Sequence, residues 1–78
     1  MGKLRVMSGK DVCTILQRLG FAEVRRCGSH IVMQRASDDG STTTVLVPDH
    51  KEVKKGTLRS IIRQSGVARV EFEAKQNA

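Results

Sequence analysis

The chain has 78 residues, a formal net charge of +6 and a pI of about 10.0. A chain of this length forms one domain and buries only about 60% of the surface that it exposes when unfolded. Two Phe, no Trp and no Tyr leave the core to aliphatic side chains. These values exclude a deep pocket between domains. They favour a large polyanion bound at the surface, usually a nucleic acid. The alternatives are a charge that only keeps the protein soluble and an acidic protein partner.

The cysteines and the hydropathy of the sequence indicate the cellular compartment of the protein. Cys13 and Cys27 show no CxxC spacing and have no cluster of His or Cys around them, so we predict two reduced, structural thiols and no zinc. No apolar run approaches the roughly 18–20 residues that span a membrane. No signal peptide pattern opens the sequence. We therefore expect a cytoplasmic protein without a cofactor.

The first element is an amphipathic helix. Ser8, with Asp11 three residues later, predicts an N-cap with a capping box. A helix over residues 9–19 follows from apolar side chains at i, i+3, i+4 and i+7, which are Val12, Ile15, Leu16 and Leu19. Gly20 should end this helix in the left-handed conformation, and Phe21 should fold back on Leu16 as in a Schellman motif.

Three strands follow the first helix. They are predicted at residues 22–26, 30–35 and 42–47, with a polar hairpin loop at 36–41. Pro48 ends the third strand, because proline cannot donate to a strand ladder. Because side chains alternate along a strand, the second strand should place Ile31 and Met33 on one face and His30, Val32 and Gln34 on the other.

A second amphipathic helix is predicted at about residues 56–65, where Gly66 stops it and Val67 packs back on Ile62. Val70 and Phe72 indicate a short last helix. The order α-β-β-β-α with a short C-terminal helix predicts an α+β fold, in which both main helices cover one face of a three-stranded antiparallel sheet. We expect residues 1–78 to form a single domain, with residues 1–7 as a basic lead-in.

The candidate for chemistry is Gly28-Ser29-His30. Glycine permits a tight turn, and the imidazole that follows opens an apolar strand-like run. Histidine can take and return a proton near neutral pH, so His30 is a candidate general base held on a stiff element. The alternative is an ordinary surface histidine beside a turn. The other histidine, His50, lies in the charged stretch between Pro48 and the second helix.

Basic residues gather on and before the second helix. They are Lys51, Lys54, Lys55, Arg59 and Arg63. The last three are four residues apart and therefore share one helix face. A helix N-terminus already attracts anions, so lysines at that end indicate a phosphate ligand. A solvated basic face is the alternative.

Three blocks of this sequence resemble one family. The blocks are SGKDVCTILQRLGF, RRCGSHIVMQR and TVLVPDHKEVKKGTLRSIIRQSGV, and the likeness runs from Ser8 to about Phe72. Together they resemble the HicA toxins, mRNA interferases of bacterial toxin–antitoxin pairs. One departure is Ile31, where many members have a second histidine.

The resemblance implies a double-stranded-RNA-binding-like fold, in which the turn before the second strand and the start of the last main helix meet RNA. It also implies that His30 is the catalytic residue of an endoribonuclease. The residues expected to bind RNA are Gly28, Ser29, Lys54, Lys55, Arg59 and Arg63. His50 is a candidate auxiliary residue that either joins the chemistry or only shapes the approach to the second helix. Because Asp38, Asp39 and Asp49 do not form a carboxylate cluster, we expect a metal-independent reaction.

The resemblance further implies two partners, an mRNA substrate and a HicB-like antitoxin. The antitoxin is expected to cover His30, to place acidic groups against Lys54, Lys55 or Arg59, and to contact apolar side chains such as Val32. Two rival functions stay open at this point. One is a non-catalytic RNA-binding module with the same fold, and the other is an interaction protein that serves only an acidic partner.

Overall fold

The computed structural model describes residues 6–76, and its elements follow the predicted order. They are α1 (Gly9–Arg18), β1 (Ala22–Cys27), β2 (His30–Ala36), β3 (Thr42–Pro48), α2 (Lys55–Ser65) and α3 (Arg69–Lys75). The predicted α+β class with a three-stranded antiparallel sheet and a short C-terminal helix is confirmed. Residues 1–5 of the predicted lead-in lie outside the described residues.

The sheet has the order β1-β2-β3, with β2 in the centre and both pairings antiparallel. Its register places His30 opposite Cys27 on one side and opposite Pro48 on the other. The register of β1 shifts between Glu23 and Arg25, and β1 is exposed along its whole length. His30 therefore sits at the end of the sheet where the β1–β2 turn and the end of β3 meet.

One core lies between the inner sheet face and the helices. Its members come from every element except β1, and the most completely buried are Phe72, Leu16, Ile31, Met33, Leu58, Ile61, Val12, Val45 and Val47. The core is aliphatic apart from Phe21 and Phe72, as the composition predicted. Met7 belongs to it as well and bridges to Val53, so the predicted lead-in contributes a core residue. None of the helices within residues 6–76 is long and apolar enough to cross a membrane.

The ends of α1 match the prediction. The Ser8 hydroxyl accepts from the Asp11 N–H at 3.1 Å, and the Asp11 carboxylate accepts from the Ser8 N–H at 3.2 Å, which completes a capping box. At the other end, the Phe21 N–H donates to Leu16 O at 2.9 Å and the Gly20 N–H to the Gln17 carbonyl at 3.1 Å. These two bonds define a Schellman motif, with Gly20 at a φ of 96°.

The end of α2 repeats only part of that motif: Gly66 stops the helix in the left-handed conformation as predicted, with a φ of 75°. Val67 does not donate to Ile62. Its N–H instead donates to the Ser65 hydroxyl at 3.3 Å, and that hydroxyl donates to the Ile62 carbonyl at 2.6 Å. Ser65 is 0% exposed, so these two bonds satisfy its buried hydroxyl. The short polar side chain therefore takes over the role that a backbone donor has at the end of α1.

The outer sheet face is less open than predicted. Val32 is only 2% exposed, because Arg25 and Leu46 stand opposite it on the flanking strands. The prediction that Val32 offers apolar surface to a partner is therefore wrong. Val24 on β1 and Leu46 on β3 are each 49% exposed instead, so the exposed apolar side chains of the sheet lie on the two strands that flank β2.

Candidate functional site

The β1–β2 turn presents His30 at one end of the sheet. Gly28 has a φ of 61°, a left-handed conformation that favours glycine, and nothing stands within 4 Å of where its side chain would begin. The turn is completed by Ser29, and His30 opens β2 as an exposed side chain. The tight turn and the strand pairing hold this imidazole on regular backbone while it stays open to solvent.

A cleft of about 350 Å³ lies beside His30. Its lining residues are His30, Pro48, His50, Glu52, Val53, Lys54 and Thr57. Both histidines of the chain thus face one cavity, a proximity that spacing along the chain could not reveal. A pair of imidazoles on one cleft can supply both a proton acceptor and a proton donor to a single bound group.

The connection between β3 and α2, residues 49–54, carries His50, and its first residue is fastened to the β1–β2 hairpin. The Asp49 N–H donates to the Ser29 carbonyl at 2.7 Å. The Asp49 carboxylate accepts a charged hydrogen bond from Arg26, with 2.6 Å between Nη1 and Oδ2. That hydrogen bond, helped by the positive charge of Arg26, holds the pKa of Asp49 below its ordinary value.

The same connection is fastened on its other side to the start of α1. The Gly9 N–H donates to the His50 carbonyl at 2.8 Å, and the Val53 N–H donates to the Met7 carbonyl at 2.7 Å. Val53 is 2% exposed and anchors the connection in the core. His50 is therefore carried by a short segment held between the hairpin and α1, although the segment has no helix or strand of its own.

The basic residues divide into two groups. Lys54 is the N-cap residue of α2 and lines the cleft. Lys55, Arg59 and Arg63 are exposed along α2 but are not among the lining residues. The first turn of α2 holds no acidic residue, and its N-cap makes no side-chain hydrogen bond. No side chain of the first turn therefore offsets the positive end of this helix, although Glu52 of the connection lines the same cleft.

The two cysteines have different environments. Cys13 is buried, and its pKa is raised to about 11, chiefly by burial and further by the carboxylates of Glu23 and Asp49. Cys27 is exposed and pairs with His30 across the hairpin, so only Cys13 matches the predicted structural role. Among residues 6–76, no three His, Cys, Asp or Glu side chains gather in a group that could hold a metal ion.

Sequence reasoning missed the two polar lining residues Glu52 and Thr57. Thr57 lies in the first turn of α2, three residues after Lys54, and this spacing brings both residues to one side of the helix start. The helical spacing could have indicated Thr57. Glu52 lies in the irregular connection, where spacing carries no information about direction.

The comparison with protein families agrees with the sequence resemblance. A family model described as the HicA toxin of bacterial toxin–antitoxin matches residues 9–67. The match covers well over half of the chain, so the chain belongs to the HicA toxin family. It is therefore a toxin of a toxin–antitoxin system, and the family implies an antitoxin partner. No curated protein matches the chain.

Proposed function

We propose that this toxin is an endoribonuclease that cleaves mRNA in the cytoplasm, with residues 1–78 acting as one domain. The observation that carries the proposal is the cleft in which His30 and His50 stand together with Lys54. Two imidazoles and an ammonium group are a sufficient set for moving protons and stabilising charge at a phosphodiester. The net charge of +6 supports an RNA substrate, because it attracts a polyanion to the surface.

In the proposed reaction His30 acts as the general base. It takes the proton from a ribose 2′-hydroxyl, whose oxygen then attacks the adjacent phosphorus. As the new 2′-O–P bond forms, the P–O5′ bond breaks, and His50 gives its proton to the departing 5′-oxygen. The products are a 2′,3′-cyclic phosphate and a 5′-hydroxyl end. The two histidines supply both proton transfers, so we expect the reaction to need no metal ion.

The second requirement is stabilisation of the negative charge on the phosphoryl oxygens. Lys54 lines the cleft and is placed to stabilise the negative charge that develops there. Lys55, Arg59 and Arg63 are exposed at intervals of four residues along α2, so they continue the positive surface away from the cleft. We propose that they hold the flanking phosphates of a single strand, and that the backbone of Gly28 and Ser29 contacts the nucleotide beside His30.

The decisive experiment measures cleavage of a 5′-labelled single-stranded RNA by purified wild-type, His30→Ala and His50→Gln proteins. We expect a loss of about 10²–10⁴-fold for His30→Ala, the typical contribution of an acid–base group. His30 is exposed, so the variant should keep the circular dichroism spectrum of the parent. Leu46→Ala, on the half-exposed outer sheet face, is a matched control that leaves the cleft unchanged.

Three results would contradict parts of this proposal. Cleavage by folded His30→Ala at the parental rate would remove His30 from the chemistry. Complete loss of activity in excess EDTA, restored by Mg²⁺ or Mn²⁺, would reject the metal-independent mechanism. RNA that is bound but never cut by the wild-type protein would favour the non-catalytic RNA-binding module.

We also propose that the antitoxin is HicB-like and covers the cleft directly. Acidic groups on it would face Lys54, Lys55 or Arg59, and this charge complementarity would speed association and set the register. Apolar contact would come from the half-exposed Leu46 and Val24. Hydrogen exchange of the backbone amides near His30 should slow in the complex. If exchange there is unchanged while activity is blocked, the antitoxin acts from a distance.

A further inference from the structure

We infer that Gly9, the first residue of α1, is a positioning residue for His50. This inference rests on the proposed role of His50 as the proton donor. Gly9 is buried at the point where α1 meets the end of β3 and the connection that carries His50. It makes no contribution to the cleft lining, so its effect on the reaction must pass through the backbone of the connection.

The first observation is a close backbone approach. A Cβ atom built on Gly9 would overlap the Pro48 carbonyl oxygen and would come within 3.0 Å of the Asp49 Cα atom. Both of these are backbone atoms, which cannot swing aside as the end of a flexible side chain can. Any side chain at residue 9 must therefore push α1 and the 48–49 backbone apart. Glycine is required here for the space it leaves, since its φ is not in the left-handed region.

The second observation is the hydrogen bond that this approach permits. The Gly9 N–H donates to the His50 carbonyl at 2.8 Å. As the first residue of α1, Gly9 has an N–H without a partner inside the helix, so the bond satisfies a donor that would otherwise be orphaned. It also fixes the peptide group of the residue whose imidazole lines the cleft. The capping box at Ser8 and Asp11 keeps this helix end rigid.

The third observation concerns what opposes Gly9. On the far side of the connection, Asp49 is bonded to Ser29 and paired with Arg26, both on the hairpin that presents His30. The hairpin therefore holds the connection from one side and α1 holds it from the other. A displacement on the Gly9 side moves His50 relative to His30, because the hairpin contacts keep Asp49 with His30. The separation between base and acid is thus sensitive to residue 9.

The test is Gly9→Ala, assayed on a mixed-sequence single-stranded RNA carrying a fluorophore and a quencher. A misplacement of about 1 Å can cost about 10²-fold in rate, so we expect kcat to fall by about 10²-fold with KM little changed. The wild-type rate should fall at alkaline pH as the acid loses its proton. In Gly9→Ala that alkaline decline should disappear, as it should in His50→Gln, while the decline at acid pH remains.

A double variant separates positioning from a general loss of stability. Gly9→Ala added to His50→Gln should cost almost nothing further, because the group that Gly9 positions is already absent. The matched control is Gly40→Ala. Gly40 has a φ of 88° with nothing within 4 Å, and it lies in the β2–β3 loop at the opposite end of the sheet. That substitution strains the backbone without touching the connection, so kcat and the shape of its pH profile should match the parent.

A second variant covers the case in which Gly9→Ala fails to fold. Cys13 allows a synthetic segment of residues 1–12 to be ligated to recombinant residues 13–78. Replacing the Gly9 amide by an ester in that segment removes the N–H donor to His50 and adds no volume. The ester protein should show the same loss of the alkaline decline, with a fall in kcat comparable to that of Gly9→Ala.

Four outcomes would overturn the inference. They are parental kcat in both Gly9 variants, a lower kcat with the alkaline decline retained, additive losses in the double variant, and equal effects from Gly40→Ala. Failure of the proposed function would give a different result, because folded His30→Ala would then cut RNA at the parental rate. In that event the His50 ring signals in NMR spectra still decide the geometry, and they should shift in the Gly9 variants but not in Gly40→Ala.

Discussion

Replacing Lys54 by Gln should weaken RNA binding in a salt-dependent manner. Lys54 is the N-cap residue of α2 and lines the cleft, so we expect its ammonium group to neutralise one phosphate. For single-stranded nucleic acid, each neutralised phosphate contributes about 0.7 to the slope of log K against log salt. Between about 50 and 200 mM salt the parent should therefore lose about 2.6-fold more affinity than the variant. The sequence of the RNA should not matter, because a phosphate contact reads no base.

Binding is best measured by fluorescence anisotropy in the His30→Ala background, where we expect the RNA to stay intact. Lys75→Gln is the matched control, since it removes the same charge from the last turn of α3, outside the cleft lining. Its slope should equal that of the parent. If Lys54→Gln leaves the slope unchanged, the RNA does not lie along the cleft. If Lys75→Gln lowers it equally, the effect is one of total charge and the placement of Lys54 carries no meaning.

Three further outcomes are expected. The depressed pKa of Asp49 means that its pairing with Arg26 stabilises the fold above the unfolded carboxyl value of about 3.9 and ceases to do so as pH falls through the folded value. The stability gap between the parent and Asp49→Asn should therefore shrink toward pH 3 in urea titrations, and a constant gap would contradict this. Cys13, with a pKa of about 11, should react with a disulfide reagent at pH 8 far more slowly than exposed Cys27, so rapid labelling of Cys27→Ser would be unexpected. Phe72→Ala should lower the free energy of unfolding by about 3–5 kcal/mol, measured by thermal unfolding, because Phe72 is 0% exposed. Val70→Ala, at a residue that is 75% exposed, should lower it by less than about 0.5 kcal/mol. Similar losses for the two variants would mean that α3 is not docked on the core.

Local signals predicted most of the fold because each depends on residues close in sequence. The capping box at Ser8, the Schellman motif around Gly20 and the β-branched run of β3 all involve spans of only a few residues. The failures have a different origin. Val32 is buried by neighbours on two other strands, and the side chain of Ser65 replaces a backbone donor that the helix pattern cannot distinguish.

The candidate site was predictable only in part for the same reason. Gly28-Ser29-His30 carries its own turn signal, so His30 could be proposed from the sequence. The position of His50 depends on long-range contacts of residues 49 and 50 with Ser29, Arg26 and Gly9, which lie 21 to 41 residues before His50 in the chain. No pattern within the charged connection indicates which way its histidine points.

The irregular register of β1 affects how toxin molecules associate with one another when no antitoxin is bound. An edge strand offers a row of free backbone groups on which another strand can pair. In β1 that row is interrupted between Glu23 and Arg25 and is flanked by charged side chains. At the opposite edge, Gln64 of α2 accepts from the Leu46 N–H of β3 at 3.5 Å. Within residues 6–76, neither edge of the sheet presents a straight, uninterrupted ladder. Growth of the sheet from one molecule into the next is therefore disfavoured, and a marginally stable, highly charged protein of this size can stay monodisperse when it is unbound.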